Sequence, residues 1–347
     1  MTGSSVRIID CTFRDGGFYT DWHFEPSLVA AYFDAVHTGG VRDVEIGYRF
    51  PESAKISGPF AHSTDEFVSS LNIHSDIRVG VMINASDFMV GGRPDAEAVG
   101  RAFSSAAASP ICFVRIAARI DEVAVAAELC SVLTGLGYRT HLNLMRMSAL
   151  RINSGGWEVL DKAEIEAFGD ITFADSFGEI LPADISPIIQ RMRSLTDAVL
   201  GVHMHDSMGL ALANTIASIE AGVDSVDATV AGIGRGSGNT KTEAIGGLLP
   251  MIMRNGNGKG LDTNRLNILS CEFEALQALY RWGPNVYYSV GALSGIHPTY
   301  IQFLCDGRLV DGKRILAALL FLGEAEAAVF STDRLQQALD YAAGRHV

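Results

Sequence analysis

Short apolar runs alternate with helix-like segments eight times along the first 253 residues of the chain. The apolar runs, each resembling a buried strand, cover residues 6–10, 43–46, 77–83, 111–117, 140–144, 170–174, 199–203 and 225–230. Segments with helical spacing of apolar residues follow them at 26–38, 63–71, 95–108, 121–136, 156–167, 183–196, 210–221 and 240–253. Eight such repeats are the count of an α/β protein of the (β/α)8 TIM-barrel class, whereas an open doubly wound sheet is usually shorter. We therefore predict a TIM barrel.

A turn-rich stretch separates this repeat from the rest of the chain. Residues 255–260 read Asn-Gly-Asn-Gly-Lys-Gly, a composition that breaks helices and strands. Beyond it, helical spacing returns at 264–282, 312–322 and 333–343. We predict a barrel domain over residues 1–255 and a helical C-terminal segment over 256–347.

Charge and composition argue against several kinds of partner. The chain of 347 residues has a formal net charge of −13, which disfavours binding to nucleic acid or to an anionic membrane surface. No apolar run reaches the roughly 18 residues that a membrane span needs, and the N-terminal residues do not form a secretory signal. Five cysteines without a C-x-x-C pair indicate reduced thiols. We expect a cytoplasmic protein.

Two histidines mark the seventh predicted strand. Residues two apart on a strand share a face, so His203 and His205 point their imidazoles to the same side. Two imidazole nitrogens directed at one point form half of a site for a divalent metal ion. This pair predicts a metal centre whose other ligands come from elsewhere in the chain.

Polar side chains also occur where the other predicted strands end. They are Asp15, Glu45, Asn84, Arg115, Asn143, Asp175, Asp227 and Thr229. In a TIM barrel the chemistry lies at the C-terminal ends of the strands. A ring of polar groups at that end predicts a polar pocket with a metal ion at one side. We take Arg115, Asn143 and Thr229 as candidate substrate-binding residues, although Arg115 and Asn143 equally suit hydrogen bonds within the barrel.

Three motifs give the chain a family resemblance. They are Arg14-Asp15-Gly16 after strand one, His203-Met204-His205-Asp206 with Gly209 on strand seven, and the glycine-rich loop 232–239 after strand eight. In this combination the chain resembles the metal-dependent TIM-barrel lyases and synthases, which include 4-hydroxy-2-oxovalerate aldolase, hydroxymethylglutaryl-CoA lyase and 2-isopropylmalate synthase. The opening of the chain looks like an aldolase-like branch of that family.

The resemblance implies a role for each matched residue. Asp15, His203, His205 and Asn239 would bind the divalent metal ion. Arg14 would stabilise the enolate oxygen, and Glu45 and Asp175 match acidic residues that line the site. Two imidazoles and a carboxylate suit Mn²⁺, which we expect, and also Co²⁺, Fe²⁺ or Zn²⁺, while tolerating Mg²⁺.

The chain departs from its relatives at the general base. The aldolase has a histidine after the Arg-Asp motif, and Phe18 stands there in this chain. The remaining candidates are Tyr19, His23, Tyr287 and Tyr288, and the sequence does not choose among them. We take Tyr19 as a candidate catalytic residue. We take Tyr288 as a candidate substrate-binding residue, on the hypothesis that its aromatic cluster covers the pocket. The alternative is that this cluster packs in the core or forms a dimer contact.

The expected activity is that of a metal-dependent aldolase, a carbon–carbon lyase. It would cleave a 4-hydroxy-2-oxo acid to pyruvate and an aldehyde, or run the reverse reaction, through an enolate at the metal. One alternative is a Claisen-type synthase that joins an acyl-CoA to a 2-oxo acid, and another is a non-catalytic metal-binding subunit of a complex. The expected partners are a small 2-oxo acid, a second copy in a homodimer and, by the aldolase's example, a partner dehydrogenase.

Overall fold

A computed structural model describes residues 6–51, 54, 56–151, 155–160, 165–253, 260–305, 311–325 and 327–344. Eight parallel strands close into a barrel, which confirms the predicted TIM-barrel fold. The strands are β1 Arg7–Asp10, β2 Asp43–Tyr48, β3 Arg78–Asn84, β4 Phe113–Ala118, β5 Arg139–Met145, β6 Asp170–Asp175, β7 Val199–Met204 and β8 Ser225–Ala228. All eight overlap the predicted runs.

The barrel closes between its first and last strands. β1 pairs with β8 in parallel, from Arg7 opposite Ser225 to Asp10 opposite Ala228. The register between β2 and β3 shifts between Glu45 and Gly47, at the end of the barrel that carries the predicted site. A small antiparallel ribbon, Met89–Val90 with Arg93–Pro94, lies outside the barrel and was not predicted.

Helices follow the strands and continue past the barrel. They are α1 Thr12–Thr20, α2 Pro26–Gly39, α3 Pro59–His62, α4 Asp65–Ser70, α5 Ala96–Ala102, α6 Val123–Gly135, α7 Gly156–Leu160, α8 Pro182–Leu195, α9 Ala211–Glu220, α10 Thr242–Ile252, α11 Thr263–Glu272, α12 Glu274–Tyr280, α13 Val286–Leu293, α14 Pro298–Phe303, α15 Gly312–Glu324 and α16 Thr332–Gly344. The predicted helix 63–71 corresponds to α4, whereas α3 lies before it and was not predicted. The predicted helix 264–282 is two helices, α11 and α12. Helices α13 and α14 were not predicted.

The Arg-Asp-Gly motif after β1 lies in helix α1, which was not predicted from the sequence. The Asp10 carboxylate accepts hydrogen bonds from the backbone N–H and the hydroxyl of Thr12, at 3.0 and 2.6 Å, and so secures the start of α1. The helix needs glycine at position 17, because the Trp22 indole fills the space that a Cβ atom would occupy there. The indole N–H donates to the carbonyl of Arg14. Tertiary packing therefore overrides the low helix propensity of Gly16 and Gly17.

An apolar layer closes the barrel interior below the predicted site. Ile9, Cys11 and Phe113 are buried there as a small cluster of their own. The Phe113 ring crosses the interior at Gly80, where a Cβ atom would lie 2.1 Å from the ring. The His141 ring stacks on Phe113 with centroids 5.0 Å apart. The packed interior leaves the C-terminal end of the barrel as the place for chemistry.

The C-terminal helices divide between two apolar cores. Leu266, Leu269, Phe273 and Trp282, from α11 and the stretch after α12, join the barrel core. Later side chains, from Tyr288 to Ala342, form a second core. The predicted domain boundary at residue 255 stays a prediction, because residues 254–259 lie outside the described part of the chain. No helix among the described residues is long and apolar enough to cross a membrane.

Candidate active site

Three side chains from opposite ends of the barrel sequence converge at its C-terminal end. Asp15 lies in the first turn of α1, His203 lies on β7, and His205 follows that strand. The Asp15 Oδ2 atom is 3.5 Å from Nε2 of His203 and 3.7 Å from Nε2 of His205. One ligand atom from each of the three residues lies within 4.8 Å of the others, and all three residues are buried. The arrangement can hold a metal ion.

Hydrogen bonds hold both imidazoles in the tautomer that a metal ligand needs. His203 Nδ1 lies 3.0 Å from Oδ2 of Asp227, and His205 Nδ1 lies 3.0 Å from the carbonyl oxygen of Asp175. With the proton on Nδ1, each ring keeps a lone pair on Nε2. Both Nε2 atoms are buried and have no hydrogen-bond partner among the described residues. Unpaired buried acceptors are costly, so these two atoms fit a bound metal ion.

The surroundings of Asp15, His203 and His205 favour a deprotonated Asp15 carboxylate and a neutral His205 imidazole. Burial acts against ionisation of Asp15, yet Arg14 and the two histidines hold its pKa well below the usual range. Burial, with the nearby His203, lowers the pKa of His205 to about 3. Burial also acts to lower the pKa of His203, but the nearby carboxylates of Asp15 and Asp227 raise it overall.

The glycine-rich loop after β8 brings Asn239 to the same group. Asn239 pairs with His205 as an isolated bridge and donates its side-chain N–H to Asp15. Its Oδ1 atom is buried without a hydrogen-bond partner in the described structure. A Cβ atom at Gly234 would lie 2.3 Å from Asn239 Nδ2 and 2.7 Å from Asp15 Oδ2. The loop needs glycine there so that its backbone can approach the two side chains.

Arg14 lies beside Asp15 with one donor unused. Its Nη1 donates to Asp15 Oδ1 at 2.6 Å, and its Nε donates to Glu45. Its Nη2 is buried and has no partner among the described residues. A buried guanidinium donor next to a metal-ligand carboxylate can stabilise an oxyanion that develops in a reaction.

Buried charges link Arg14 back to His203 in a closed ring. Arg115 Nη1 lies 3.1 Å from Glu45, and Arg115 Nη2 lies 2.8 Å from Asp227. The ring therefore consists of Arg14, Glu45, Arg115, Asp227, His203 and Asp15. Each member restrains its neighbours, so the orientation of the metal ligands depends on residues of four different strands.

Two of the predicted substrate-binding residues inside the barrel, Arg115 and Asn143, bind each other. Arg115 is fully buried, and besides its carboxylate partners its Nη2 donates to Asn143 Oδ1 at 3.2 Å. Thr229 is also fully buried, and its hydroxyl has no partner among the described residues. A substrate contact by Arg115, Asn143 or Thr229 stays a prediction.

The Asp175 carboxylate turns away from the three-residue group. It accepts hydrogen bonds from the backbone N–H groups of Glu179 and Ile180, at 3.0 and 3.1 Å. Burial raises the pKa of Asp175 to about 7. The contact with the group is made by its carbonyl oxygen, which holds His205. The backbone of Asp175 therefore positions a ligand, and a catalytic role for its side chain stays a prediction.

Two of the four candidates for the general base, Tyr19 and Tyr288, lie together at the mouth of the barrel. The Tyr19 hydroxyl donates to the carbonyl of Gly236 and lies 3.4 Å from the hydroxyl of Tyr288. Burial raises the pKa of Tyr19 to about 12, so its hydroxyl stays protonated at neutral pH. His23 instead is exposed and contacts the carbonyl of Asp21. The Tyr287 hydroxyl packs near Gly312 of α15.

Two residues near the site were missed or left without a role. Asp227 was visible at the end of strand eight, on the same strand face as Thr229, but only the fold shows that it holds His203. Tyr48 ends β2, is buried, and lies close enough for the charges of Arg14 and Asp15 to act on it. Burial raises the pKa of Tyr48 to about 12. Tyr48 was not singled out from the sequence, because the predicted second strand ended at Ile46, two residues before it.

Comparison with known proteins agrees with this geometry. The model of the HMGL-like family matches residues 5–270. The 4-hydroxy-2-oxovalerate aldolase of Chloroflexus aurantiacus is 26% identical over 262 residues, which are 74% of this chain and 71% of that protein. The oxaloacetate decarboxylase of Mycobacterium tuberculosis is 24% identical over 279 residues, or 75% of this chain and 73% of that protein.

A solved structure shares the fold over most of the chain. The N-terminal domain of a Bacteroides vulgatus protein described as an aldolase superposes with a TM-score of 0.74 at 28% identity. The match covers 86% of this chain and 96% of that domain. The barrel fold is thus shared with a protein that is described as an aldolase.

Proposed function

The chain belongs to the HMGL-like family, whose members are lyase-type enzymes, and on that premise we propose that it is a divalent-metal-dependent aldolase. The proposed reaction is cleavage of a 4-hydroxy-2-oxo acid to pyruvate and an aldehyde, or the reverse. The observation that carries the proposal is the group of Asp15, His203 and His205, with two unpartnered Nε2 atoms, beside the unused Nη2 donor of Arg14.

The metal ion would be held by Asp15, His203 and His205, with Asn239 Oδ1 as a further ligand. When bound, a divalent ion acts as a Lewis acid that polarises the 2-oxo group. We expect Mn²⁺, with Mg²⁺, Co²⁺ and Zn²⁺ as alternatives, because imidazole and carboxylate ligands suit these ions. Asp227 and the carbonyl of Asp175 keep the two imidazoles oriented.

The chain's own residues then supply charge stabilisation and proton transfer. In cleavage the C3–C4 bond breaks, the C4 hydroxyl loses its proton, and C3 gains one to give pyruvate. Arg14 stabilises the enolate oxygen through Nη2, while Glu45 and Asp15 fix its guanidinium. Tyr19, protonated and at the mouth, is our candidate for returning the proton to the aldehyde oxygen in the condensation direction. Tyr288, beside it, would contact the substrate.

Exchange of the pyruvate methyl protons in D₂O, followed by NMR, tests the enolate directly. We expect exchange with Mn²⁺-loaded protein and none after chelation. Arg14→Lys keeps the charge but loses the forked donor, and we expect exchange to slow about 100-fold with unchanged metal content. Arg101→Lys, on an exposed helix face, is the matched control. Unchanged exchange in Arg14→Lys would remove Arg14 from the mechanism, and absence of exchange with metal would contradict the aldolase proposal.

Decarboxylation of oxaloacetate is a second candidate, which the Mycobacterium tuberculosis relative favours. It breaks the C3–C4 bond of a 2-oxo acid, releases CO₂ and leaves the same enolate of pyruvate. The same site therefore suits both reactions. Release of CO₂ from oxaloacetate by the loaded enzyme, without condensation of pyruvate with any aldehyde, would identify the decarboxylase. A homodimer and a partner dehydrogenase stay predictions, which sedimentation of the chain alone and with such a dehydrogenase would test.

A further inference from the structure

Two arginines at the mouth of the barrel differ from the other arginines near the strand ends. Arg146 directly follows β5, and Arg235 lies in the loop after β8. Within the described residues, neither forms an ion pair with a carboxylate. Arginines that do pair with carboxylates include Arg14, Arg49, Arg78, Arg115, Arg139 and Arg193. Two guanidinium groups thus remain without a counter-charge at the entrance to the site.

Arg146 lies beside the segment that holds a metal ligand. Its backbone N–H donates to the hydroxyl of Ser176 at 3.0 Å, and its guanidinium carbon lies 5.1 Å from the centroid of the Phe177 ring. Ser176 and Phe177 directly follow Asp175, whose carbonyl oxygen accepts the hydrogen bond of His205. Arg146 also has a positive φ of 59°, a strained backbone for a residue other than glycine. Strain of this kind is concentrated at functional sites.

Arg235 lies close enough to His205 and His297 for its charge to act on both. Its guanidinium carbon lies 5.3 Å from the centroid of the Phe18 ring of α1. Next to Arg235, a Cβ atom at Gly236 would lie 3.1 Å from Pro298 and 3.3 Å from the Tyr288 ring, so the loop packs under helices α13 and α14. These C-terminal helices therefore cover the mouth on the side of the two arginines.

His297, just before α14, lies close enough to both arginines for their charges to act on it. Its ring is 6.2 Å from the ring of Phe177, on which Arg146 lies. Burial, followed by the positive charges of Arg235 and Arg146, lowers the pKa of His297 to about 3. The ring is therefore neutral, and its Nδ1 accepts the backbone N–H of Thr299 at 3.3 Å. Its proton is on Nε2, which leaves that atom as a hydrogen-bond donor.

We propose that Arg146, Arg235 and His297 bind a second anionic group of the substrate, a carboxylate or a phosphate, at the end remote from the 2-oxo acid. The inference rests on the proposed aldolase function and narrows it: the aldehyde released would carry the negative charge. Two guanidinium groups without a counter-charge repel each other, and an anion bound between them relieves that repulsion. The acidic chain, with a net charge of −13, attracts no anion by its overall field.

Binding to the Mn²⁺-loaded protein tests the inference without turnover. The probes are 2-oxo acids of five to seven carbons that end either in a carboxylate or in a methyl group, such as 2-oxoadipate against 2-oxohexanoate, measured by titration calorimetry. At the length that fits, we expect the carboxylate-ended acid to bind about tenfold more tightly, because a hydrogen bond to a charged group contributes that much.

Arg146→Gln and Arg235→Gln should each abolish this preference and leave the methyl-ended acid unaffected. Both side chains are at least partly exposed, so we expect normal folding, checked by circular dichroism. Arg101→Gln, which removes one positive charge from the exposed pair with Glu97, is the control. A weaker affinity for both kinds of acid in the variants would show a structural role and overturn the inference.

Condensation of pyruvate with pairs of charged and neutral aldehydes shows whether the site binds a carboxylate or a phosphate. Succinic semialdehyde against butanal tests the carboxylate, and glyceraldehyde 3-phosphate against glyceraldehyde tests the phosphate. A preference in kcat/KM for one charged aldehyde, lost in the two variants, supports the inference and identifies the anion. No charge preference in any pair, in binding or in turnover, overturns it. Charge-dependent binding without condensation of any aldehyde would refute the aldolase proposal and leave the anion site standing.

Discussion

Six buried side chains form a closed ring of charge at the end of the barrel, from Arg14 through Glu45, Arg115, Asp227 and His203 to Asp15. Removing such groups from water is costly, and buried ion pairs often give little net stability. These ion pairs instead serve to position the side chains, because each partner fixes the orientation of the next. At the scale of single residues, the site is therefore a set of mutual restraints on the metal ligands.

Asp227→Asn tests this restraint at His203. The amide keeps the shape of the side chain but loses the charge that holds the Nδ1–H of His203. We expect the affinity for Mn²⁺, measured by calorimetry, to fall about 10–100-fold, since changes at groups that orient metal ligands have effects of that size. Asp197→Asn, on the surface between α8 and β7, is the control. An unchanged affinity in Asp227→Asn would show that His203 is positioned without it.

The strand-to-helix junction after β1 connects elements that are distant in the sequence. The Asp10 carboxylate accepts hydrogen bonds from Thr12 of α1, Tyr32 of α2 and Thr242 of α10, each from a hydroxyl at 2.6 Å. Burial raises the pKa of Asp10 even though these donors act to lower it. One carboxylate therefore fixes three helices relative to the first strand, and α1 in turn carries Arg14 and Asp15.

Asp10→Ala should destabilise the barrel at this junction. It leaves three buried hydroxyl groups without their acceptor, and we expect the free energy of unfolding to fall by about 2–4 kcal/mol. Urea denaturation followed by fluorescence measures the change. Asp34→Ala, on the exposed face of α2, is the control. A loss below about 0.5 kcal/mol, the range of surface substitutions, would contradict the role of Asp10 as the common acceptor.

At the scale of the whole molecule, barrel closure brings the two ends of the repeat together. β1 pairs with β8, and this pairing places Asp15 beside His203 and His205 although almost 190 residues separate them. The C-terminal helices then cover the mouth through Tyr288 and His297. The group of Asp15, His203 and His205 comes together only in the folded chain, so binding of the proposed metal ion would be coupled to folding.

Metal loading should therefore stabilise the whole protein. At a Mn²⁺ concentration 100 times its Kd, we expect the free energy of unfolding to rise by about 2.7 kcal/mol. Scanning calorimetry with Mn²⁺ and with a chelator measures the difference in Tm. His203→Ala should lose the metal-dependent increase, whereas His74→Ala, at an exposed position, should keep it. Equal Tm values with and without metal would contradict a site formed by the folded barrel.

The sequence by itself determined the periodic features of this protein. The alternation of apolar strand runs with helical spacing predicted all eight strands, because burial on both sides of a parallel strand requires such a run. The His-x-His spacing predicted that His203 and His205 face one point, because side chains two apart on a strand share a face. Position at the strand ends likewise indicated which end of the barrel carries the polar groups.

Only the tertiary structure decided which polar groups meet. Helix α1 forms despite its two glycines, because Trp22 packs into the space beside Gly17. The bond from His203 to Asp227, the turn of Asp175 toward its own loop, and the approach of Arg146 to Phe177 near His297 are contacts between separate elements. Local sequence carries no signal for such contacts, because the closure of the barrel and the packing of the C-terminal helices set the distances between residues far apart in the chain.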